Sequence, residues 1–230
     1  MLRKLIPAAL FAAFLAVPAT ASAADQYCGP VKAKTAIIVI HGGYFVVGSP
    51  GGTADTCAAF AAKGWRVINI DYPLGDLNGA YNAVSKAAVQ AHKDHRQVVA
   101  YGESAGGSLA ALAAARRWVD GAFAWAPVSN LISWNAKTPS GHNIWDYCLD
   151  SSLPLLRKMS AYYSANPQSA PLRVVHGRSD TVVPVKQSRA LKKKYPKMRL
   201  IERAGGHDAT SSSYLSATSD AIKFFQSLKN

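Results

Sequence analysis

Val98-Val99-Ala100-Tyr101-Gly102-Glu103-Ser104-Ala105-Gly106-Gly107-Ser108 is the stretch on which the fold of this chain turns. A β-branched and aromatic run breaks at Gly102, sets one serine between glycines, and passes into the Ala/Leu-rich segment 109–115. The pattern predicts strand, sharp turn, helix. Gly102 and Gly106 carry no Cβ, as a turn tight enough to force Ser104 into a strained backbone conformation requires. A serine held in this way exposes its hydroxyl at the end of the strand. The amide of Ala105 then lies at a helix N-terminus, where a developing oxyanion is favoured. Turns of this kind also occur with no chemistry attached, so the rest of the chain must supply the partners.

Arg3 and Lys4, the apolar run 5–17 and Ala21-Ser22-Ala23 form an export signal, with cleavage expected after Ala23. The apolar run is shorter than the roughly 20 residues that span a bilayer, and no later segment approaches that length. The expectation is therefore a secreted or periplasmic protein with no transmembrane segment, residues 1–23 being the signal and 24–230 one domain. The formal charge is +13, most of it beyond the signal. Such an excess draws a protein to an anionic envelope surface or acidic polymer. The densest cluster, Arg189, Lys192, Lys193, Lys194, Lys197, Arg199 and Arg203, has no interleaved aromatic platform beyond Tyr195. It reads as a solvated face and not as a nucleic-acid site. Cys28, Cys57 and Cys148 leave one disulfide and one thiol in an oxidising compartment, with three pairings open. None has metal-ligand spacing, so no metal and no cofactor are assigned.

Six apolar runs read as strands: 35–40, 65–70, 97–102, 121–125, 171–176 and 198–203. Helical spacing fills 52–63, 76–94, 104–118, 185–195 and 209–228. Alternation of this kind predicts an α/β fold. Its sheet is mostly parallel, with six or seven strands, and helices on both faces. Functional groups in such sheets gather at the carboxyl ends of the strands. Ser104, Asp180 and His207 each lie just past the end of a predicted strand. A serine hydroxyl needs a base within hydrogen-bond reach, and the base needs a carboxylate to hold its tautomer. Asp208, Asp71 and Asp150 are weaker candidates for the carboxylate, and His142 for the base. After the first strand comes His41-Gly42-Gly43-Tyr44-Phe45; its glycine pair can turn backbone amides toward a ligand, and His41 reads as a brace for the loop.

His41-Gly42-Gly43, Asp71-Tyr72-Pro73-Leu74, Gly102-Glu103-Ser104-Ala105-Gly106-Gly107, His176-Gly177 with Asp180 and Val183-Pro184, and Gly205-Gly206-His207 together resemble the α/β-hydrolases. The nearest pattern is that of hormone-sensitive-lipase-like and exported carboxylesterases, including feruloyl and acetylxylan esterase-like enzymes. The resemblance covers nearly all of the chain after residue 23. It implies Ser104 as nucleophile, His207 as base and then acid, Asp180 as orienting carboxylate, and an oxyanion hole from Gly43, Tyr44 and Ala105. Tyr44 stands where these esterases have a third glycine, and Gly-Gly-Tyr is also similar to arylformamidases. The aromatic stretch 131–170 reads as a small lid or pocket wall, with core packing as its alternative. Tyr44, Phe45, Trp134 and Trp145 are the expected pocket residues. The implied activity is cleavage of small or polymer-borne carboxylic esters through an acyl-enzyme. A serine peptidase or amidase on the same fold is one alternative, and a non-catalytic cationic envelope-binding protein the other.

Overall fold

The structure, a computed structural model, describes residues 24–134, 143–207 and 211–228. The expected signal segment, His142 and Asp208 lie outside the described residues. Among the described residues, seven strands form one sheet: β1 (Gln26–Cys28), β2 (Thr35–Ile40), β3 (Arg66–Ile70), β4 (Gln97–Glu103), β5 (Gly121–Trp125), β6 (Leu172–Gly177) and β7 (Met198–Arg203). Their order is β1-β3-β2-β4-β5-β6-β7. All pairings are parallel except that of β1 with β3.

The apolar runs form strands because both faces of the sheet are covered. Along β2, Ala36, Ile38 and Ile40 enter one buried cluster while Ile37 and Val39 enter the other; this is the period-2 alternation of a strand with no solvated side. The first cluster lies under α2 (Leu77–Asp94) and α3 (Ala105–Ala115), the second under α1 (Ala54–Ala61) and α7 (Ser211–Ser227). α3 is buried along its whole length, and its alanines let it sit close to β4 and β5. α2 begins where the Asp76 carboxylate accepts from the Gly79 amide at 2.8 Å, which satisfies one of the free amides of its first turn.

The seventh strand is β1, too short to leave a periodic signal in the sequence. It is held by its ladder to β3 and by a Cys28–Cys57 disulfide to α1. That bond selects one of the three open pairings and leaves Cys148 as the free thiol, half-buried. Between β5 and β6 the chain forms short 3-10 turns at Leu131–Ser133 and Ile144–Tyr147, then α4 (Leu153–Met159) and α5 (Ala161–Ser164). Leu131, Trp134, Ile144, Leu156 and Met159 from this insert join the core under α2 and α3. The remaining helix, α6 (Lys186–Lys194), connects β6 to β7. Chain order runs outward in opposite directions from β2 and β4, so the loops that leave these two strands separate at the switch point of the sheet, where ligands bind in open α/β folds.

Candidate active site

β4 ends at Glu103, α3 begins at Ala105, and Ser104 makes the turn between them with φ 52° and ψ −115°. A side chain in that conformation is strained, and the surrounding backbone holds it there. The Ser104 amide donates to the Trp125 carbonyl at 2.8 Å and the Ser104 carbonyl accepts from the Ser108 hydroxyl at 2.9 Å. A Cβ on Gly102 would stand 2.2 Å from the Gly106 carbonyl oxygen, and one on Gly106 2.1 Å from that of Ile40. Both glycines are therefore fixed by close backbone approach.

The Ser104 hydroxyl lies 2.9 Å from His207 Nε2, and His207 Nδ1 lies 2.8 Å from Asp180 Oδ2. His207 stands past the end of β7, its carbonyl accepting from the Trp125 indole at 3.3 Å. Asp180 stands past β6 with its side chain fully buried. Its Oδ1 accepts from the amides of Val182 (2.9 Å) and Val183 (2.8 Å), and its Oδ2 is also 3.2 Å from His176 Nε2. Burial pushes this carboxyl up; hydrogen bonds from His176, His207 and Val183, with the charge of His207, outweigh burial and hold it well below the usual carboxylate range. Ionised and fully bonded, it can only accept. His207 Nδ1 is then the donor, which leaves Nε2 to take the proton of the Ser104 hydroxyl.

The loop after β2 runs beside this serine because Ile40 pairs with Gly102. It coils tightly: Gly43, Tyr44 and Phe45 all have positive φ (111°, 56° and 68°), and the Val46 and Val47 amides donate to the Gly43 carbonyl at 3.0 and 2.9 Å. Gly43 is obligatory, since a Cβ there would meet the Val47 carbonyl oxygen at 1.9 Å. His41 braces the loop: Nδ1 bonds the Gly42 carbonyl at 2.8 Å and the ring stacks on Tyr72 at 4.3 Å, whose hydroxyl donates to the His41 carbonyl at 3.1 Å. Asp71 Oδ1 is 3.7 Å from its other nitrogen.

Tyr44 stacks on Trp134 at 6.0 Å, Trp134 meets Trp145 edge-on at 5.5 Å, and the Trp134 indole donates to the Val182 carbonyl at 3.0 Å. These contacts tie the loop after β2 to the loop that carries Asp180. Phe45 and Trp134, expected at the pocket wall, are 1% and 4% exposed and belong to the core; at Phe45 two successive positive φ angles turn the ring inward, and Trp134 is packed among the core side chains under α2 and α3. Ala105 follows Ser104 at the start of α3 and Gly43 lies across the cleft. A cavity of about 370 Å³ beside Ser104 is lined by Gly43, Tyr44, Thr53, Glu103, Trp125 and His207, among others. A larger groove, about 1220 Å³, runs between α2 and the β1/β3 edge. It touches none of Ser104, Asp180 and His207, and we therefore place the site in the smaller cavity.

Two buried groups of the site, Glu103 and His176, are given no role by the sequence motifs that contain them. Glu103 is buried beside the serine, accepts from the Tyr101 hydroxyl at 2.8 Å, and is pushed up to about 7 by burial, against that bond and the charge of His207. His176 is wholly buried against Asp180. The signal the sequence offers is a titratable residue at the end of an apolar strand run, His176 as its last residue and Glu103 just after it. Among the described residues, no group of three or more His, Cys, Asp or Glu side chains could hold a metal, and no helix is long and apolar enough to cross a membrane.

A serine at a strained strand-to-helix turn of a largely parallel seven-stranded sheet defines the class as the α/β-hydrolases. Within it, the profile of the prolyl oligopeptidase family matches residues 31–226. The chain belongs to that family and is a serine hydrolase. No curated protein sequence matches it. Among solved structures it is similar to Thermogutta terrifontis esterase 2 phosphonylated by sarin, with TM-score 0.73 and 20% identity over 86% of this chain and 87% of that one. The propionate-bound form of that esterase gives 0.72 and 20% over 88% of each chain. A truncated carbohydrate esterase from gut microbiota gives 0.69 and 19% over 85% and 86%. At these identities the likeness speaks to the fold.

Proposed function

We propose that this chain is an exported serine carboxylesterase that cleaves small or short-chain esters through an acyl-enzyme. The observation that carries the reading is the unbroken chain of hydrogen bonds Ser104–His207–Asp180, at 2.9 and 2.8 Å. In the first half-reaction the Ser104 proton passes to His207 Nε2 as Oγ bonds the ester carbon. The carbonyl oxygen, now negative, is held by the amides of Ala105, Gly43 and Tyr44. The tetrahedral adduct then collapses: the carbon–alkoxy bond breaks, the alcohol leaves with the proton from His207, and the acyl group stays on Ser104. In the second half-reaction His207 draws a proton from water, the hydroxide adds to the acyl carbon, and Ser104 leaves with the proton back on Oγ. Asp180 stays ionised throughout and stabilises the imidazolium.

Three further features support the details. A cavity of about 370 Å³ suits a short acyl group better than a peptide segment. The Cys28–Cys57 disulfide suits an oxidising compartment, as the export signal expects. Lys186, Arg189, Lys193 and Lys194 line one groove of α6, which suits an anionic envelope or a polymer-borne ester. The family name favours one rival, cleavage of amides by the same three residues. A series of p-nitrophenyl esters from acetate to decanoate, set against aminoacyl p-nitroanilides, separates the two. The reading expects kcat/KM to be highest for the short esters, whereas cleavage of the anilides alone would replace it with a peptidase.

A further inference from the structure

We propose that His176 is a positioning residue for this hydrolysis: its Nε2–H locks the Asp180 carboxylate that orients His207, and the Ser188 hydroxyl holds the ring by its other nitrogen. The inference rests on the reading of Ser104, His207 and Asp180 given above.

His176 is the last residue before Gly177 on β6, and its ring is wholly buried. Nε2 faces two oxygens that can only accept, the Val183 carbonyl at 2.7 Å and Asp180 Oδ2 at 3.2 Å. That nitrogen must therefore carry hydrogen, shared between the two, with the shorter arm to Val183. The neutral ring then has a bare Nδ1, which takes the hydrogen of the buried Ser188 hydroxyl at 2.7 Å. The opposite tautomer would set a lone pair against the carbonyl and the carboxylate together. Ser188 lies on α6 beside Gln187, whose side chain is bonded to Ser129, Asn130 and Ser133; the helix that presents the hydroxyl is thus anchored to the insert.

Asp180 in consequence has a donor on each side of each oxygen: the Val182 and Val183 amides on Oδ1, and His207 and His176 on Oδ2. It cannot rotate without losing at least one of them. His207 must also share Oδ2 with a second imidazole, which limits how strongly that oxygen attracts its proton. Among the described residues, the other charged groups nearby are Glu202 on β7, held by Arg189 and Arg178, and Glu103, which faces His207. All are retained in the variants below.

The test measures p-nitrophenyl acetate hydrolysis across pH, with rates normalised to Ser104 titrated by a fluorophosphonate. His176→Leu keeps the bulk and removes both ring nitrogens. It is expected to lower kcat by roughly 10- to 100-fold, the usual cost of losing the group that orients a functional side chain, with KM nearly unchanged. The ascending limb of kcat/KM should move up by about half a unit, because a carboxylate with one donor fewer holds the His207 proton more strongly. His176→Gln, which can still donate near the Nε2 position, should recover most of kcat and return the limb. Ser188→Ala should lose a few-fold and move the limb in the same direction as His176→Leu. A merely structural role would lower the amount of folded enzyme and leave kcat per titrated site and the limb unchanged; that result overturns the inference, and should His176→Leu not fold, the same result in Ser188→Ala overturns it. If Ser104→Ala still hydrolyses the ester, the underlying reading fails as well. If Ser104→Ala is dead and His176→Leu turns over like wild type, only the inference about His176 fails.

Discussion

His41 with Asp71, past β2 and β3, and His207 with Asp180, past β7 and β6, place the same two residue types at the same edge of one sheet. In the first pair nitrogen and oxygen stand 3.7 Å apart, the ring is buried and stacked on Tyr72, and Nδ1 is committed to the Gly42 carbonyl. Burial lowers the pKa of His41 against the pull of that carbonyl and of Asp71. In the second pair the separation is 2.8 Å, the His207 side chain keeps 14% of its exposure, and Nε2 faces the Ser104 hydroxyl. A histidine next to an aspartate is thus no more than a brace until its far nitrogen meets a group that can react and a cavity that a substrate can enter.

The sharpest way to break the comparison is to remove the reacting group. Ser104→Ala and His207→Ala should each lose about four orders of magnitude or more in kcat for p-nitrophenyl acetate. His41→Phe, which can keep the stack on Tyr72, should stay within about tenfold. Comparable losses at His41 and His207 would erase the distinction. The carboxylates sharpen it: Asp180→Asn should cost about 10⁴ in kcat through the wrong tautomer of His207, and Asp71→Asn less than about tenfold.

Smaller effects fall on stability. The disulfide ties β1 and α1 together on the His41 side of the sheet, and closes a loop with a sequence separation of 29 residues. Replacing Cys28 and Cys57 by serine should lower the unfolding free energy by about 3 to 4 kcal/mol in denaturant titration. The rate per titrated serine should not change; a falling rate would mean that the two halves of the edge are coupled. On the His207 side, Glu103 titrates at about 7 when folded against 4.5 when free. The folded state binds the extra proton between those values, so stability present below pH 4.5 is lost as pH rises to 7, by about 3 kcal/mol. Glu103→Gln should remove that decline in unfolding titrations at pH 5 and pH 8, and an unaltered decline would place its cause elsewhere.

The fold was legible where the physics is local. Residues 35–40 and 97–102 read as strands from their apolar runs, and the glycines around Ser104 marked a turn whose tightness is visible in the 2.1 and 2.2 Å approaches to their missing Cβ atoms. Positions just past strand ends brought Ser104, Asp180 and His207 into view for the same reason. What stayed hidden depends on contacts far apart in the chain. β1 has three residues and exists through Cys28–Cys57 and the ladder to β3. Tyr195, the one aromatic residue interleaved in the basic cluster, is buried with its hydroxyl donating to the Ala170 carbonyl at 2.6 Å. Phe45 turns into the core because Tyr44 and Phe45 both take left-handed backbone angles, which no residue type there announces. Glu103 titrates, and His176 bonds, as it does only because other elements bury it.

The central claim, that the His207–Asp180 pair activates Ser104 while the His41–Asp71 pair does not activate anything, is most directly tested by covalent labelling. Wild-type protein exposed to a fluorophosphonate and analysed by intact mass and peptide mapping should carry one adduct, on Ser104. His207→Ala should label far more slowly, His41→Phe at close to the wild-type rate, and Ser104→Ala not at all. A wild type that stays unlabelled, or an adduct that persists in Ser104→Ala, would contradict it.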